Sequence, residues 1–144
     1  MIVLPSLVTE RIESVKAGIL ASAVFGFMNG VAIVLNYSLG NMGIDLQIWQ
    51  ITSVTDLALR MAIAFSSGFL FGVTYRYIIR GDRNNHLQEG AILAFGLVRG
   101  FALIEGTAIT PMWLLLIGES IISFAIASFS VNLAMKLKLL KPFI

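Results

Sequence analysis

Charged residues inside an apolar run of membrane length constrain this chain most. Residues 90–109 are mainly apolar, and at about 1.5 Å of rise per residue a helix of this length crosses a bilayer. The run nevertheless carries Arg99 near its middle and Glu105 near its far end. Inserting a central Arg costs roughly 2.5–3.5 kcal/mol, while each Leu, Ile or Phe returns only roughly 0.3–0.6 kcal/mol. A helix formed here therefore needs neighbours that satisfy its charges.

The composition is that of an integral membrane protein. Hydrophobic residues make up 58 % of the chain and charged residues 12 %, with a mean hydropathy of +0.90. In soluble domains, charged residues reach about 25 %. The 144 residues have room for about four spans with short connections, and not for a soluble catalytic domain. The sequence therefore predicts an all-α membrane domain.

Several function classes are excluded by the residues that the chain lacks. It has no Cys and a single His, which excludes thiolate chemistry, iron–sulfur clusters and His-rich metal sites. The sequence contains no serine-hydrolase, zinc-protease or phosphate-loop motif, so we expect neither an enzyme nor a metal site. The net charge of +2 is too small to indicate a nucleic-acid partner.

The hydropathy pattern predicts a single domain in which four transmembrane helices form a bundle. The predicted spans are about residues 17–36, 54–79, 87–109 and 112–135. In residues 1–16, apolar side chains recur every three or four positions, with charged side chains between them. This spacing predicts an amphipathic helix that lies at the cytoplasmic membrane surface and runs on into the first span.

The basic residues determine the expected orientation. Eight of the ten Lys and Arg residues lie at one end of the four-span layout: Arg11, Lys16, Arg76, Arg80, Arg83, Lys136, Lys138 and Lys141. The loops at the opposite end contain none, so the positive-inside rule places both termini in the cytoplasm, or in the stroma of a chloroplast. The basic end also favours contact with anionic lipid headgroups.

An internal repeat relates the first and third spans. Residues 25–32 and 95–102 share the pattern Phe-Gly-x-x-x-Gly-x-Ala. A repeat unit of two spans returns to the same side of the membrane, so the two halves would be parallel and related by a pseudo-twofold axis along the membrane normal. The alternative is a chance match, because Gly, Ala and Phe are common in membrane spans.

Pairs of small residues four positions apart predict close helix packing. Such residues let helix backbones approach where lipid supplies no hydrophobic drive for association. The glycine pairs are Gly26 and Gly30, Gly68 and Gly72, and Gly96 and Gly100. They are candidates for packing either within the chain or against another membrane protein.

Polar and small residues also mark the face of each helix that should point into the bundle. In the first span these are Ser22, Gly26, Asn29 and Asn36, and in the second they are Asp56, Arg60, Ala64, Ser67 and Gly68. Both sets follow the three-to-four residue spacing of one helical face. We therefore assign these faces to the bundle interior.

Besides Asp56, four ionisable residues lie in the outer halves of the spans, toward the loops without basic residues, and their charges sum to zero: Arg60, Arg99, Glu105 and Glu119. An intramembrane charge is a candidate functional group whose partner should be named. We expect Arg99 to pair with Glu119 and Arg60 with Glu105. Asp56 is an alternative partner for Arg60, four residues away on the same helix.

Three interpretations of these charges remain open from the sequence. They form ion pairs that fix how the helices assemble, or they line a substrate or proton path in which Glu119 titrates and Asn29 lies at the depth of Arg99. In the third interpretation, a Glu held by an Arg ligates the magnesium of a pigment such as chlorophyll. The spacing of the residues does not separate the second interpretation from the third.

Residues 75–84 and 94–101 resemble segments of small four-span membrane proteins of cyanobacteria and chloroplasts. The resemblance covers about thirty residues and implies a thylakoid or photosynthetic plasma membrane, but no established activity comes with it. The size and span count are also similar to those of small multidrug transporters. Those proteins have a Glu in the middle of the first span, where this chain has Asn29.

The expected function is that of a non-catalytic subunit, or an assembly or stabilising factor, of a larger membrane complex such as a pigment–protein complex. Its expected partners are other integral membrane proteins and membrane lipid, and lipid or chlorophyll is the candidate cofactor. The alternative is a small homodimeric transporter or channel that uses Arg99, Glu119 and Asn29.

Overall fold

Four α-helices account for most of the described chain. The computed structural model describes residues 6–44, 51–80, 84–106 and 109–143. In these ranges the helices are α1 (Leu7–Asn41), α2 (Val54–Ile79), α3 (Asn85–Ile104) and α4 (Met112–Lys136), and no strand is present. All four are long and apolar enough to cross a membrane. The predicted all-α four-helix membrane bundle is confirmed.

The first helix is longer than its predicted span. Ser6 caps it by accepting a hydrogen bond from the backbone N–H of Thr9 (3.2 Å), and α1 then continues without interruption to Asn41. Residues 7–16 are therefore the first turns of α1 and continue directly into the residues of the first predicted span. Glu13 and Ser14 are buried in the bundle, whereas Val8 and Ile12 are exposed on the opposite face. The apolar stripe of this segment faces outward, as a lipid-facing stripe does.

The third helix ends at Ile104, before the predicted end at residue 109. Glu105 is its C-cap, and Gly106 has a φ of +78°. Glycine adopts this left-handed conformation readily and commonly ends helices there. Residues 107 and 108 of the predicted span lie outside the described residues, as do Arg83 and residues 45–50 of the long connection.

Adjacent helices run antiparallel, which follows from the residues that meet. Along α2, Gly68 faces Ser22 of α1, and Gly72, one turn later, faces Ala17. Along α3, Gly96 faces Ile121 of α4, and Gly100 faces Ile117. The bundle therefore consists of an α1–α2 hairpin and an α3–α4 hairpin, with α1 also packed on α4. The start of α1 and the last described residues of the C-terminal segment lie at one end of the bundle, which we call the terminal end. The opposite end, with the α1–α2 and α3–α4 connections, is the distal end.

The glycine pairs pack within the chain, with one exception. Added Cβ atoms on Gly68 and Gly72 would overlap α1, and those on Gly96 and Gly100 would overlap α4. Gly26 lies against the Phe65 ring, where an added Cβ would come within 2.8 Å of Cζ. At Gly30, an added Cβ would have no other described residue within 4 Å, apart from the adjoining backbone of its own helix. Five of the six glycines therefore serve intrachain packing, and the sixth does not.

One phenylalanine from each helix forms the centre of the bundle. Phe25, Phe71, Phe95 and Phe124 all lie near the middle of their helices. Ring centroids are 4.3 Å apart for Phe25 and Phe124, and 4.9 Å apart for Phe71 and Phe124. Tilted and edge-to-face contacts of this kind contribute about 0.5–1.5 kcal/mol each beyond area burial. We call these four rings the phenylalanine layer.

At the terminal end, Arg76 is fully buried and connects three parts of the chain. Its guanidinium donates to Glu10 Oε2 (2.7 Å), to Ser14 Oγ (2.8 Å) and to the carbonyl of Lys141 (2.9 Å). Glu13 Oε2 in turn accepts from the backbone N–H of Lys141 (2.8 Å). This cluster ties the start of α1 and the C-terminal segment to the end of α2.

Candidate functional site: a polar cavity toward the distal end

A polar cavity lies between the four helices on the distal side of the phenylalanine layer. Its volume is about 100 Å³. The polar and charged lining residues are Asn29, Asn36, Arg60, Arg99 and Glu119, and the apolar ones are Ala32, Ile33, Ile63, Leu103 and Leu116. Leu103 belongs to the last turn of α3, so the cavity extends from the middle of the bundle toward the distal end.

The Arg99 guanidinium is held in the cavity by neutral groups. It donates to Ser67 Oγ on α2 and to Asn29 Oδ1 on α1, both at 3.3 Å. Its central carbon lies 5.1 Å from the centroid of the Phe25 ring, a cation–π distance. Among the ion pairs of the described residues, none involves Arg99. A half-buried cation thus lies in the cavity with no carboxylate bound to it.

On the α4 side of the cavity, Glu119 is also bound by a neutral group. Glu119 Oε2 accepts one hydrogen bond from Asn36 Nδ2 of α1 (3.2 Å). The other end of that amide, Asn36 Oδ1, is buried and has no hydrogen-bond partner among the described residues. Asn36 is only 9 % exposed, so an unused acceptor lies beside a carboxylate in a low-dielectric site.

The pairings expected from the sequence are wrong. Arg99 and Glu119 line the same cavity, but they bind amide and hydroxyl groups rather than each other. Arg60 pairs with Asp56 instead, with Nε and Oδ1 3.0 Å apart, because the i,i+4 spacing brings both side chains together on one helix. Glu105 is exposed at the end of α3 and lies beside Trp113 in a separate surface groove.

The sequence missed the part that Asn36 and Ser67 play in the site. Both residues belong to the polar faces of α1 and α2 that the sequence assigns to the interior, and that signal was sufficient to place them there. It did not indicate that they would bind the two charges. Asn29 and Arg99, which occupy matching positions of the internal repeat, meet in the cavity.

The cavity is too small for a pigment ring. Sites for drug-sized ligands have volumes of about 300–1,000 Å³, whereas this cavity has about 100 Å³. The cavity therefore accepts water or a solute of a few heavy atoms. A macrocycle ligated by Glu119 does not fit in it.

A second concave surface lies outside the bundle, on α1 and α2. This groove has a volume of about 790 Å³ and is lined by Ala23, Gly26, Phe27, Gly30, Val31, Val34, Leu35, Met61 and Phe65. All of these side chains are apolar. We call it the Gly30 groove, because Gly30 forms its open floor.

Comparison with known proteins identifies no relative. The chain matches no protein-family model, no curated protein and no solved structure. The function therefore has to be inferred from the geometry of the polar cavity and of the Gly30 groove.

Proposed function

We propose that this protein is a non-catalytic subunit, or an assembly or stabilising factor, of a larger integral membrane complex. The observation that carries the proposal is Gly30. The other five paired glycines are covered by helices of the same chain, whereas Gly30 faces open space in an apolar groove. A glycine that lets another backbone approach closely is typical of helix–helix interfaces in membranes.

The shape of the Gly30 groove supports a helix as its occupant. Its lining residues on α1 extend from Ala23 to Leu35, which at about 1.5 Å per residue is about 18 Å of helix. This length corresponds to a little over half of the hydrocarbon thickness of about 30 Å. The lining is apolar throughout, so the groove would be matched by a transmembrane helix with small or apolar residues at the contact.

The membrane and the class of complex are proposed on the resemblance to small proteins of cyanobacteria and chloroplasts. That resemblance favours a thylakoid or photosynthetic plasma membrane and a pigment–protein complex as the partner. Any chlorophyll would then belong to the partner or to the interface, because the polar cavity is too small for it. The cytoplasmic placement of both termini is proposed from the basic residues at the terminal end.

Native purification tests this role. Solubilised in mild detergent from its own membrane, the protein should migrate in a high-mass assembly with other membrane proteins. Migration only as a free monomer or dimer contradicts the proposal. An absorption spectrum of the assembly, and of the separated chain, checks the pigment: we expect bound chromophore in the assembly and none in the separated chain.

Replacing Gly30 with Leu should release the protein from the assembly without unfolding it. The added side chain fills the open groove, and Leu favours a helix over Gly by up to about 1 kcal/mol. The measurement is the fraction of the protein in the high-mass assembly on native gels, together with the thermal unfolding midpoint. Gly90→Leu is the matched control, because Gly90 also has no atom within 4 Å but lies outside the groove.

A small transporter or channel is a second candidate function, favoured by the order of layers along the bundle axis. The polar cavity lies on the distal side of the phenylalanine layer. On the other side, Tyr75, Gln88 and Asn132 form a hydrogen-bonded cluster, in which Asn132 Nδ2 donates to the Tyr75 hydroxyl (2.9 Å). In channels, an apolar constriction between two polar regions closes the path for water and ions.

Glu119→Gln tests this second candidate in vesicles. Glu119 lines the cavity and has no partner cation among the described residues. If the cavity is part of a path, neutralising this carboxylate should lower the uptake of the transported solute or of protons by about tenfold or more. Uptake is measured in reconstituted liposomes, with a proton-sensitive dye inside. Glu105→Gln is the control, since Glu105 is exposed and outside the cavity. Unchanged flux in Glu119→Gln contradicts the candidate.

A further inference from the structure

In the polar cavity, neither Arg99 nor Glu119 forms an ion pair with another described residue. Within the described residues, the Arg99 guanidinium donates to Ser67 and Asn29 and lies against the Phe25 ring. The Glu119 carboxylate accepts from Asn36. A guanidinium does not lose its proton in proteins, so Arg99 stays positively charged, and an anionic acceptor would stabilise it more strongly than its neutral partners do. A buried charge with neutral partners alone is costly, because desolvation is not repaid by a counter-charge.

The Glu119 side of the cavity presents acceptors without donors. Asn36 Oδ1 is buried and without a partner in the described part of the chain, and Glu119 accepts a side-chain hydrogen bond at Oε2. A group that satisfies this side must therefore donate hydrogen bonds, and a positive charge on it would also neutralise Glu119. On the Arg99 side, the group must accept hydrogen bonds, and a negative charge on it would neutralise Arg99.

We propose that the cavity binds a small zwitterion, a molecule with a carboxylate at one end and a primary ammonium at the other. The carboxylate is bound by the Arg99 guanidinium, and the ammonium donates to Glu119 and to Asn36 Oδ1. The cavity volume of about 100 Å³ restricts the ligand to a few heavy atoms, as in glycine. The inference goes beyond the subunit role, and it names the substrate class if the second candidate function holds.

Arg60 does not compete for the ligand. It lines the same cavity, but its charge is neutralised by Asp56 at 3.0 Å. The phenylalanine layer lies beneath the site, with Phe25 against Arg99. The ligand therefore enters from the distal end, where Leu103 and Leu116 line the cavity.

Isothermal titration of the purified chain in nanodiscs of neutral phospholipid tests the proposal without any partner protein. Glycine should give a saturable heat at pH 7. Acetate and methylammonium, which carry only one of the two charged groups, should bind about tenfold or more weakly, as expected for a lost charge-assisted hydrogen bond. Trimethylglycine, which has both charges but no N–H donor, should also bind about tenfold or more weakly.

The absence of a saturable heat with glycine would overturn the proposal, and so would acetate or methylammonium binding as tightly as glycine. This series uses only the wild-type chain, so it does not depend on whether a variant folds. The titration is also independent of the proposed subunit role. The protein can fail to co-migrate with other proteins in native gels and still bind glycine, and it can co-migrate without binding glycine.

Substitutions then assign the binding to the named residues. Arg99→Gln, Glu119→Gln and the uncharged change Asn36→Leu should each weaken glycine binding by about tenfold or more. The matched controls Arg11→Gln and Glu105→Gln, at exposed positions, should change it by less than about twofold. Undiminished affinity in a folded Arg99→Gln or Glu119→Gln variant would show that the cavity is not the site.

Discussion

Replacing Arg76 with Met is expected to lower the free energy of unfolding by about 3–5 kcal/mol, the usual cost of removing one partner of a buried ion pair. The Arg76 side chain is fully buried and donates to Glu10, Ser14 and Lys141. Met preserves most of the volume but leaves the Glu10 carboxylate without its cation. The free energy is measured by unfolding in mixed detergent micelles, with the loss of helical circular dichroism as the signal.

The control for this prediction is Arg11→Met. Arg11 is exposed on α1, so its replacement should change the free energy of unfolding by no more than about 0.5 kcal/mol. A double-mutant cycle with Glu10→Gln separates the pair from the rest of the cluster. Equal stability of Arg76→Met and Arg11→Met would mean that the Arg76 cluster does not join α1, α2 and the C-terminal segment.

A second large effect is expected at the contact of α1 with α2. Gly72→Ala should lower the free energy of unfolding by about 1–3 kcal/mol, because an overpacked interface must separate. A Cβ added at Gly72 would lie 2.6 Å from the Ala21 Cβ and would also overlap the backbone carbonyl of Ala17. Backbone atoms of a packed helix cannot rotate away, so α1 and α2 must move apart along their contact.

Where the space beside a glycine is open, replacing it with Ala should raise the free energy of unfolding or leave it unchanged. Gly30→Ala and Gly90→Ala add a Cβ with no atom within 4 Å, and Ala is the better helix former by about 1 kcal/mol. These variants should therefore be equal in stability to the wild type or slightly more stable. Destabilisation of all three variants to the same extent would indicate a general effect of losing glycine rather than a close contact at Gly72.

Helical periodicity predicted which polar residues face the interior of the bundle. The same periodicity could also have predicted that Arg76 is buried. The polar face of the second span runs through Arg60, Ala64 and Gly68 at intervals of four residues. Two further steps along that face reach Gly72 and Arg76, and both are buried. From the sequence, Arg76 was used only as a signal of orientation, and its burial was not predicted. A basic residue near a helix end satisfies the positive-inside rule whether or not its side chain is buried.

The sequence did not predict equally well which groups bind the charged side chains within the spans. The pair of Arg60 with Asp56 is local and follows from their spacing on one helix. Arg99 and Glu119 belong to different helices, and their depths alone suggested that they would meet. Whether they bind each other depends on the rotation of α3 and α4 and on which amides lie between them. The long side chains of Arg and Glu reach several alternative partners at the same depth.

The N-terminal segment illustrates a second limit. A stripe of apolar residues on one face of a helix predicts that this face avoids water, and in a soluble protein it would face the core. In this chain Val8 and Ile12 are exposed, while the polar side with Ser14 is buried against Arg76. Next to lipid, the apolar face is the outer one, and the pattern by itself does not specify which environment applies.

By itself, the sequence determined the four helices, their number and their order. A chain this apolar must satisfy its backbone hydrogen bonds within each span, and helices do so without help from neighbours. Only the tertiary structure decided that Arg99 and Glu119 bind neutral groups across a cavity and that Arg76 joins the start of α1 to the C-terminal segment. It also decided that no other described helix covers Gly30. Those outcomes depend on how the helices rotate and approach one another, and sub-ångström differences in packing between distant residues are not encoded in any local pattern.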